Sequence, residues 1–372
     1  MLNGRDAIVV NSCAVTAEAV RSTRRAIRRA RARRPDAPLY VTGCAATIDP
    51  AGFAGMAEVD HVVPNATKLA PASWGATRLP TLPAFTGHAR AFVEVQNGCD
   101  HSCTFCIIPA GRGQSRSLPA GGVIEHIRAL VDAGHREVVL TGVDLTSYGP
   151  DLPGQPTLGA LVQRILTHIP RLERLRLSSL DSIEIDDALL EVLTGDDRVM
   201  PHVHLSLQAG DDMILKRMKR RHARADAIRI VERLKTARPD IAIGADLIAG
   251  FPTETPEMFA NTARLIEDCD IVFAHIFPFS PREGTPAARM PQVDPVVVRE
   301  RAAGLRALGD ARKANWLASL IGTTQRVLVE RPGDNGHAEN FAPVRLPADA
   351  VGSVATVRIT ASDGTVLTGI PA

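Results

Sequence analysis

Apolar residues along this chain follow two rhythms. Runs of roughly four to eight aliphatic residues, at 7–10, 38–42, 91–96, 137–141, 174–178, 202–207, 241–248 and 271–277, predict buried strands. Between them, apolar positions recur every three or four residues at 17–34, 123–133, 158–168, 226–237 and 256–268, which predicts amphipathic helices. A short run at 61–63 adds a third strand to the first group. Strand–helix–strand order implies parallel sheets covered by helices. Residues 72–87 are rich in Pro, Thr and Ala, lack either period and read as a linker. From residue 91 six strand–helix units follow one another, fewer than the eight of a full barrel, so a partial (β/α)6 barrel is expected. After a long helical pattern at 299–321 the rhythm changes to short strands at 325–330, 342–346, 353–359 and 365–368, with a Pro-Gly-Asp-Asn-Gly turn at 332–336. That tail predicts a small β-barrel. The expected fold class is α/β: an N-terminal α/β layer over 1–71, the linker, the partial barrel over 88–318 and the C-terminal barrel over 319–372.

Composition changes this picture little. Hydrophobic residues make up 45% and charged residues 23% of the 372, an ordinary globular balance, and the net charge is only +2. The charge is unevenly placed: residues 21–34 hold eight arginines and no acid. Such a face suits phosphate, and a merely solvated helix face is the competing reading. No apolar run is long enough to span a bilayer, and the first residues have no signal-peptide core, so a cytoplasmic protein without a membrane partner is expected.

Chemistry concentrates in the cysteines. Three of the six, Cys99, Cys103 and Cys106, lie within eight residues, directly after the first barrel strand, where a catalytic loop belongs. Three thiolates leave one iron of a four-iron cluster open for chemistry. Zinc, with His101 as the fourth ligand, is the alternative. Cys13 and Cys44 each follow a strand of the first layer, where open α/β sheets place their sites, although small buried cysteines are common. Cys269, at an apolar helix end, reads as core.

The Cys-x-x-x-Cys-x-x-Cys pattern resembles the radical S-adenosylmethionine (SAM) superfamily. Its flanks, Gln96-Asn-Gly-Cys99, Cys106-Ile-Ile-Pro109, Leu140-Thr-Gly-Val-Asp144, Gly250-Phe-Pro-Thr-Glu254 and Ser280-Pro-Arg-Glu-Gly284, are similar to those of methylthiotransferases. The resemblance runs from the start of the chain through the barrel. It implies a 4Fe–4S cluster on Cys99, Cys103 and Cys106 whose open iron chelates SAM, which is cleaved reductively to a 5′-deoxyadenosyl radical. It also implies a second, auxiliary 4Fe–4S cluster, with Cys13 and Cys44 matching the second and third of the family's three ligands. The family's first cysteine would lie upstream, and no cysteine precedes Cys13 here. A misassigned start, an absent auxiliary cluster or a substitute ligand are the expectations this raises, the first being favoured.

The segments around Cys13, the arginines, Cys44 and Gly111–Arg116 resemble the bacterial branch that acts on threonylcarbamoyladenosine in tRNA. The tail resembles the TRAM domain, an RNA-binding barrel, in which His337 and Asn340 would meet RNA alongside Arg24, Arg25, Arg28 and Arg29. Methylthiolation of a ribosomal-protein aspartate, and a catalytically impaired RNA-binding homologue, are the alternatives. The resemblance also implies an electron donor such as flavodoxin or ferredoxin, and a sulfur source. SAM contacts are expected from polar groups after barrel strands: Gly142 and Asp144 after the second, Ser178 and Ser179 after the third, Gln208 after the fourth. Asp246, an acid inside an apolar strand, is expected to be functional or in a buried pair. Arg220 and Arg221 are candidates for a carboxylate or phosphate, or a plain surface cluster.

Overall fold

The computed structural model describes residues 6–76, 87–331, 335–347 and 350–372. Residues 77–86 of the expected linker and 332–334 of the expected turn lie outside them. The chain divides into two compact units. One holds the described residues up to 76 with Gly98–Ser115 and Ser280–Met290; the other holds the remainder. Sequence order therefore does not mark the units, because the cysteine loop belongs with the N-terminal segment.

The first unit is built on three parallel strands in the order β1 (Ile8–Ser12), β2 (Leu39–Gly43) and β3 (His61–Val63), crossed by helix α1 (Ala17–Arg33). Thr16 starts α1 by accepting the Ala19 amide on its hydroxyl, at 3.1 Å. Thr23 and Ile27 are the buried residues of α1, while its arginines lie on the wetter faces. Ile27 packs with Leu39, Val41 and Phe53, each fully buried and each contributing roughly 1.5–3 kcal/mol. The expected linker begins as packed structure: Pro71–Trp74 forms a 3-10 turn, and the Trp74 indole donates to the Lys68 carbonyl at 2.7 Å beside Tyr40.

In the second unit, β4 (Arg90–Glu94), β7 (Glu137–Thr141) and β8 (Arg174–Leu177) are parallel neighbours, and β9 (Ser179–Leu180), β10 (His202–Gln208), β11 (Ala242–Ala249) and β12 (Ile271–Pro278) form a second parallel run. Between these runs the chain passes from β8 into β9 through Ser178, leaving β7 and joining β10. The short pair β5 (Gln96–Asn97) and β6 (Arg116–Ser117) brackets the cysteine loop in sequence. Outward-facing Ala91, Val93, Val138, Leu140, Leu175 and Leu177 pack beneath the helices. The alternate residues face the interior, and there register sets rows: Arg90, Glu137 and Arg174 are level, then Phe92, Val139 and Arg176.

The tail closes into a five-stranded barrel from β13 (Thr324–Arg331), β14 (Asn335–Ala338), β15 (Pro343–Arg345), β16 (Val354–Ser362) and β17 (Leu367–Pro371). Its core is Val327, Val344, Val357, Ile359 and Leu367, with Leu317 from the preceding helix. β14 is a strand the sequence pattern omits, because Asn335-Gly-His-Ala offers no apolar run. The long helix begins at Pro295, earlier than expected, because Asp294 caps it by accepting the Val296 amide at 2.7 Å.

Candidate active site

The cysteine loop starts with a constrained backbone. Gly98 has φ +81°, and a Cβ there would lie 1.9 Å from the Gln114 carbonyl oxygen, so only glycine lets the two ends of the loop meet. The Cys99 amide then donates to Gly113 at 3.1 Å, closing the loop base. Inside it, the His101 amide donates to Cys99 Sγ and the Ile108 amide to Cys106 Sγ, both at 3.4 Å. Across the same unit the Val15 amide donates to Cys13 Sγ at 3.5 Å. Three of the five expected ligand sulfurs thus accept the amide two residues downstream, an arrangement suited to cluster thiolates, whose potentials depend on such hydrogen bonds. No disulfide joins any of the six cysteines. The donor set therefore fits an iron–sulfur cluster.

Cys44 is buried and tied to the tail of the cysteine loop. Arg112 Nε lies 3.1 Å from its sulfur, and Asn65 bridges it to the Gly111 carbonyl, at 3.6 and 2.8 Å. A Cβ at Gly111 would stand 2.9 Å from the Cys44 Cβ, so this approach also requires glycine. Sequence reasoning misses both Arg112 and Asn65: Arg112 stands within a flank that resembles the family, and nothing local distinguishes Asn65.

In the second unit the expected SAM residues occupy strand ends and strand interiors. Fully buried Gln96 accepts the Asp144 amide at 2.8 Å and fixes the Gly142–Asp144 turn; the Asp144 carboxylate accepts the Ser147 hydroxyl at 2.9 Å. Ser178 donates its amide to the Leu140 carbonyl at 3.0 Å, while its hydroxyl is buried without a partner among the described residues. Ser179 pairs with His204 in the sheet. Gln208 ends β10 at φ +67°, a left-handed conformation costly for a non-glycine residue and concentrated at functional sites. Arg220 is not at the surface: it is buried against Asp181 at 2.9 Å and the Ser206 carbonyl at 2.7 Å, and Arg221 pairs with Glu184 at 2.7 Å.

Asp246 is half-buried, between the buried His204 and the exposed His275. One of its oxygens is 2.9 Å from His204 Nε2 and 3.4 Å from His275 Nδ1. Burial pushes its pKa up, but the hydrogen bonds and charges of the two imidazoles outweigh that and hold it at about 2. The three side chains bring ligand-type atoms within 4.8 Å of one another, yet two rings sharing one carboxylate oxygen are satisfied as hydrogen bonds without an ion. One row deeper, Glu137 is fully buried between Arg90 at 2.9 Å, Arg174 at 2.8 Å and Arg176 at 3.1 Å. Burial raises its pKa, and the charges of Arg176, Arg90 and Arg174 overcome this to hold it at about 2. The sequence does carry a signal for these residues: Arg174-x-Arg176-x-Ser178 and His202-x-His204-x-Ser206 place polar groups at every second position of apolar strands, the mark of a polar barrel interior.

The residues expected to meet RNA divide. Arg25 and Arg28 are more than half exposed, with Glu18 at 2.5 Å and Glu58 at 3.8 Å as partners, and Arg29 is also exposed. Arg24 lies over the Phe53 ring and pairs with Asp49 at 3.1 Å. His337 is half-buried and Asn340 is buried. His337 stacks on Phe341 and meets Glu330 at 2.5 Å, while buried Asn340 accepts the Ala342 amide at 3.1 Å. Cys269 is fully buried in the core, as expected, and burial pushes its thiol up to about 12. Among the described residues no helix is long and apolar enough to cross a membrane.

Comparison with known proteins agrees with this geometry. Residues 93–266 match the radical SAM superfamily and residues 2–64 match the uncharacterized protein family UPF0004. The threonylcarbamoyladenosine tRNA methylthiotransferase MtaB of Rickettsia prowazekii is 47% identical over 361 residues, spanning 93% of this chain and 86% of that protein. MtaB of Bacillus subtilis is 33% identical, spanning 95% and 85%. Among solved structures, the radical SAM methyltransferase TsrM of Kitasatospora setae superposes with a TM-score of 0.56 at 17% identity, over 76% of this chain and 65% of that one, a likeness of fold. A cluster-competent cysteine loop, a partial barrel and relatives of this identity lead to one conclusion: the chain belongs to the methylthiotransferase branch of the radical SAM superfamily, enzymes that use SAM and an iron–sulfur cluster to transfer a sulfur-containing group.

Proposed function

We propose that this enzyme converts N6-threonylcarbamoyladenosine, immediately 3′ of the tRNA anticodon, into its 2-methylthio derivative. The observation that carries this reading is the 47% identity to the Rickettsia enzyme, whose name states that nucleoside, across 93% of the chain. Cys99, Cys103 and Cys106 hold the radical cluster, and Cys13 and Cys44 contribute to an auxiliary one. The clusters and SAM, when bound, supply the electron, radical and methylthio chemistry, with an electron donor such as flavodoxin or ferredoxin and a sulfur source as partners. The chain's own residues bind and orient. Amides of Val15, His101 and Ile108 fix three sulfurs. Gln96 sets the Gly142–Asp144 turn, and Ser178, Ser179, Gln208 and Asp246 offer SAM its polar contacts. Arg25, Arg28 and Arg29 on α1 supply phosphate contacts to the tRNA.

Nucleoside mass spectrometry of tRNA tests the reading. A strain lacking the gene should lose the 2-methylthio nucleoside, wild type should restore it, and Cys103→Ala should not, because two thiolates hold the cluster poorly. Failure of wild type to restore it, with methylthiolated aspartate appearing in a ribosomal protein instead, would overturn the reading.

A further inference from the structure

The second unit holds a half-open cavity of about 260 Å³ that shares Ser178, Ser179 and Asp246 with the SAM contacts proposed above and extends past them to Arg90, Arg176 and His202. It is smaller than the roughly 300–1,000 Å³ of sites that bury a whole drug-sized ligand, and so has room for a substituent rather than a nucleoside. Phe92, Phe273 and Phe341 give it apolar walls, and its polar lining is of two kinds.

On one side stand Arg90, Arg176 and His202. Arg176 is only 4% exposed, and its Nη1 is buried without a hydrogen-bond partner among the described residues, as are His202 Nδ1 and Ser178 Oγ in the same lining. Three orphaned polar atoms around one small cavity are unusual, since buried donors and acceptors are almost always satisfied. The ion pairs point the same way: Arg176 shares the Glu137 carboxylate with both Arg90 and Arg174. A buried guanidinium with a shared counterion and an unsatisfied N–H can take a further anion. Burial and the Arg176 charge push the His202 pKa well below its ordinary value. On the other side Asp246, held by His204 and His275, accepts hydrogen bonds. The cavity therefore fits a group with a carboxylate at one end and N–H or O–H donors at the other.

We propose that Arg176, assisted by Arg90 and His202, recognises the carboxylate of an amino-acid substituent on the substrate adenosine and so selects the threonylcarbamoylated base over the unmodified one. This inference rests on the substrate reading above and adds the residues that enforce it. Arg176 is the specificity-determining residue, because it lines the cavity and combines burial with an orphaned donor. Phe341 covers it, with the Arg176 guanidinium 4.7 Å from the ring centroid.

The test uses the reconstituted full chain and anticodon stem-loop RNAs carrying adenosine, threonylcarbamoyladenosine or its methyl ester. Both Kd and methylthio product are read. The ester keeps the size of the group and removes only its charge, so wild type should bind it about tenfold more weakly or worse. Arg176→Gln should lose that discrimination while Arg176→Lys retains part of it; circular dichroism establishes that each variant is folded. If Arg176→Gln does not fold, the acid-to-ester ratio on wild type still decides. Equal binding of acid and ester by a wild type that methylthiolates the acid would overturn the pocket assignment and leave the substrate reading intact. Unchanged discrimination in folded Arg176→Gln would also overturn it. No product from the acid RNA with wild type would instead sink the substrate reading.

Discussion

Two regions of this molecule are rich in arginine and behave in opposite ways. Helix α1 carries its arginines close together in sequence. They are largely exposed and answered by separate acids, Glu18, Asp49, Glu58 and Asp60. The barrel interior gathers Arg90, Arg174 and Arg176 from two strands around the single carboxylate of Glu137, and none of the four is more than 12% exposed. Solvated pairs contribute little, because water already screens them. A buried set is costly to assemble and more costly to break. Density along the sequence therefore says little about where charge acts; burial and shared partners decide it.

Breaking the interior set should have the largest effect. Glu137→Gln leaves Arg174 and Arg176 buried without their counterion and should destabilise the second unit by about 3–5 kcal/mol, read as a shift in the urea midpoint at unchanged slope. A midpoint within error of wild type would mean that the arginines find water or another acid.

Acid titration sharpens the same contrast. The Glu137 pKa falls from an ordinary 4.5 to about 2 on folding, so its contribution is fully present above pH 4.5 and is lost as pH falls toward 2. That shift corresponds to about 3 kcal/mol. The wild type should lose this much more than Glu137→Gln between pH 5 and pH 2, as both are followed by chemical denaturation. Parallel curves for the two proteins would exclude Glu137 as the source.

On α1 the expectation is reversed. Arg25, Arg28 and Arg29 replaced together by Gln should leave the urea midpoint where it is and flatten the salt dependence of tRNA binding. The log–log slope should drop by about 0.7–0.9 for each phosphate that the helix no longer neutralises. An unchanged slope would make this helix a solvated face. Smallest of all, Glu18→Gln removes the acid that partners Arg21 and Arg25 and should change neither stability nor fold, since both pairs are exposed.

What is legible in the sequence follows from the same physics. Six barrel strands and the helices between them can be read from periodicity, because apolar outward faces repeat locally. The cysteine loop can be read because metal ligation is a matter of spacing. The interior of the barrel cannot: Glu137 and Arg174 are thirty-seven residues apart and meet only through the β7–β8 register. Asp246 stands out as an acid in an apolar strand, but its partners His204 and His275 come from the two flanking strands, and nothing local links the three. β14 escapes because a closed barrel can seat a polar, glycine-containing strand that would not hold alone.

One residue carries a wider consequence. Phe341, at φ +70° in the connection after β14, stacks on His337, packs tilted against His202 and lies against Arg90 and Arg176. Around it, Arg174 donates to the carbonyls of Arg326 and His337, and Arg176 donates to that of Glu339. The small C-terminal barrel thus supplies the floor of the larger one. It is not an exchangeable cassette: a tail from another protein could fold equally well and still leave the larger barrel open at its base. In this chain the two barrels are inherited together.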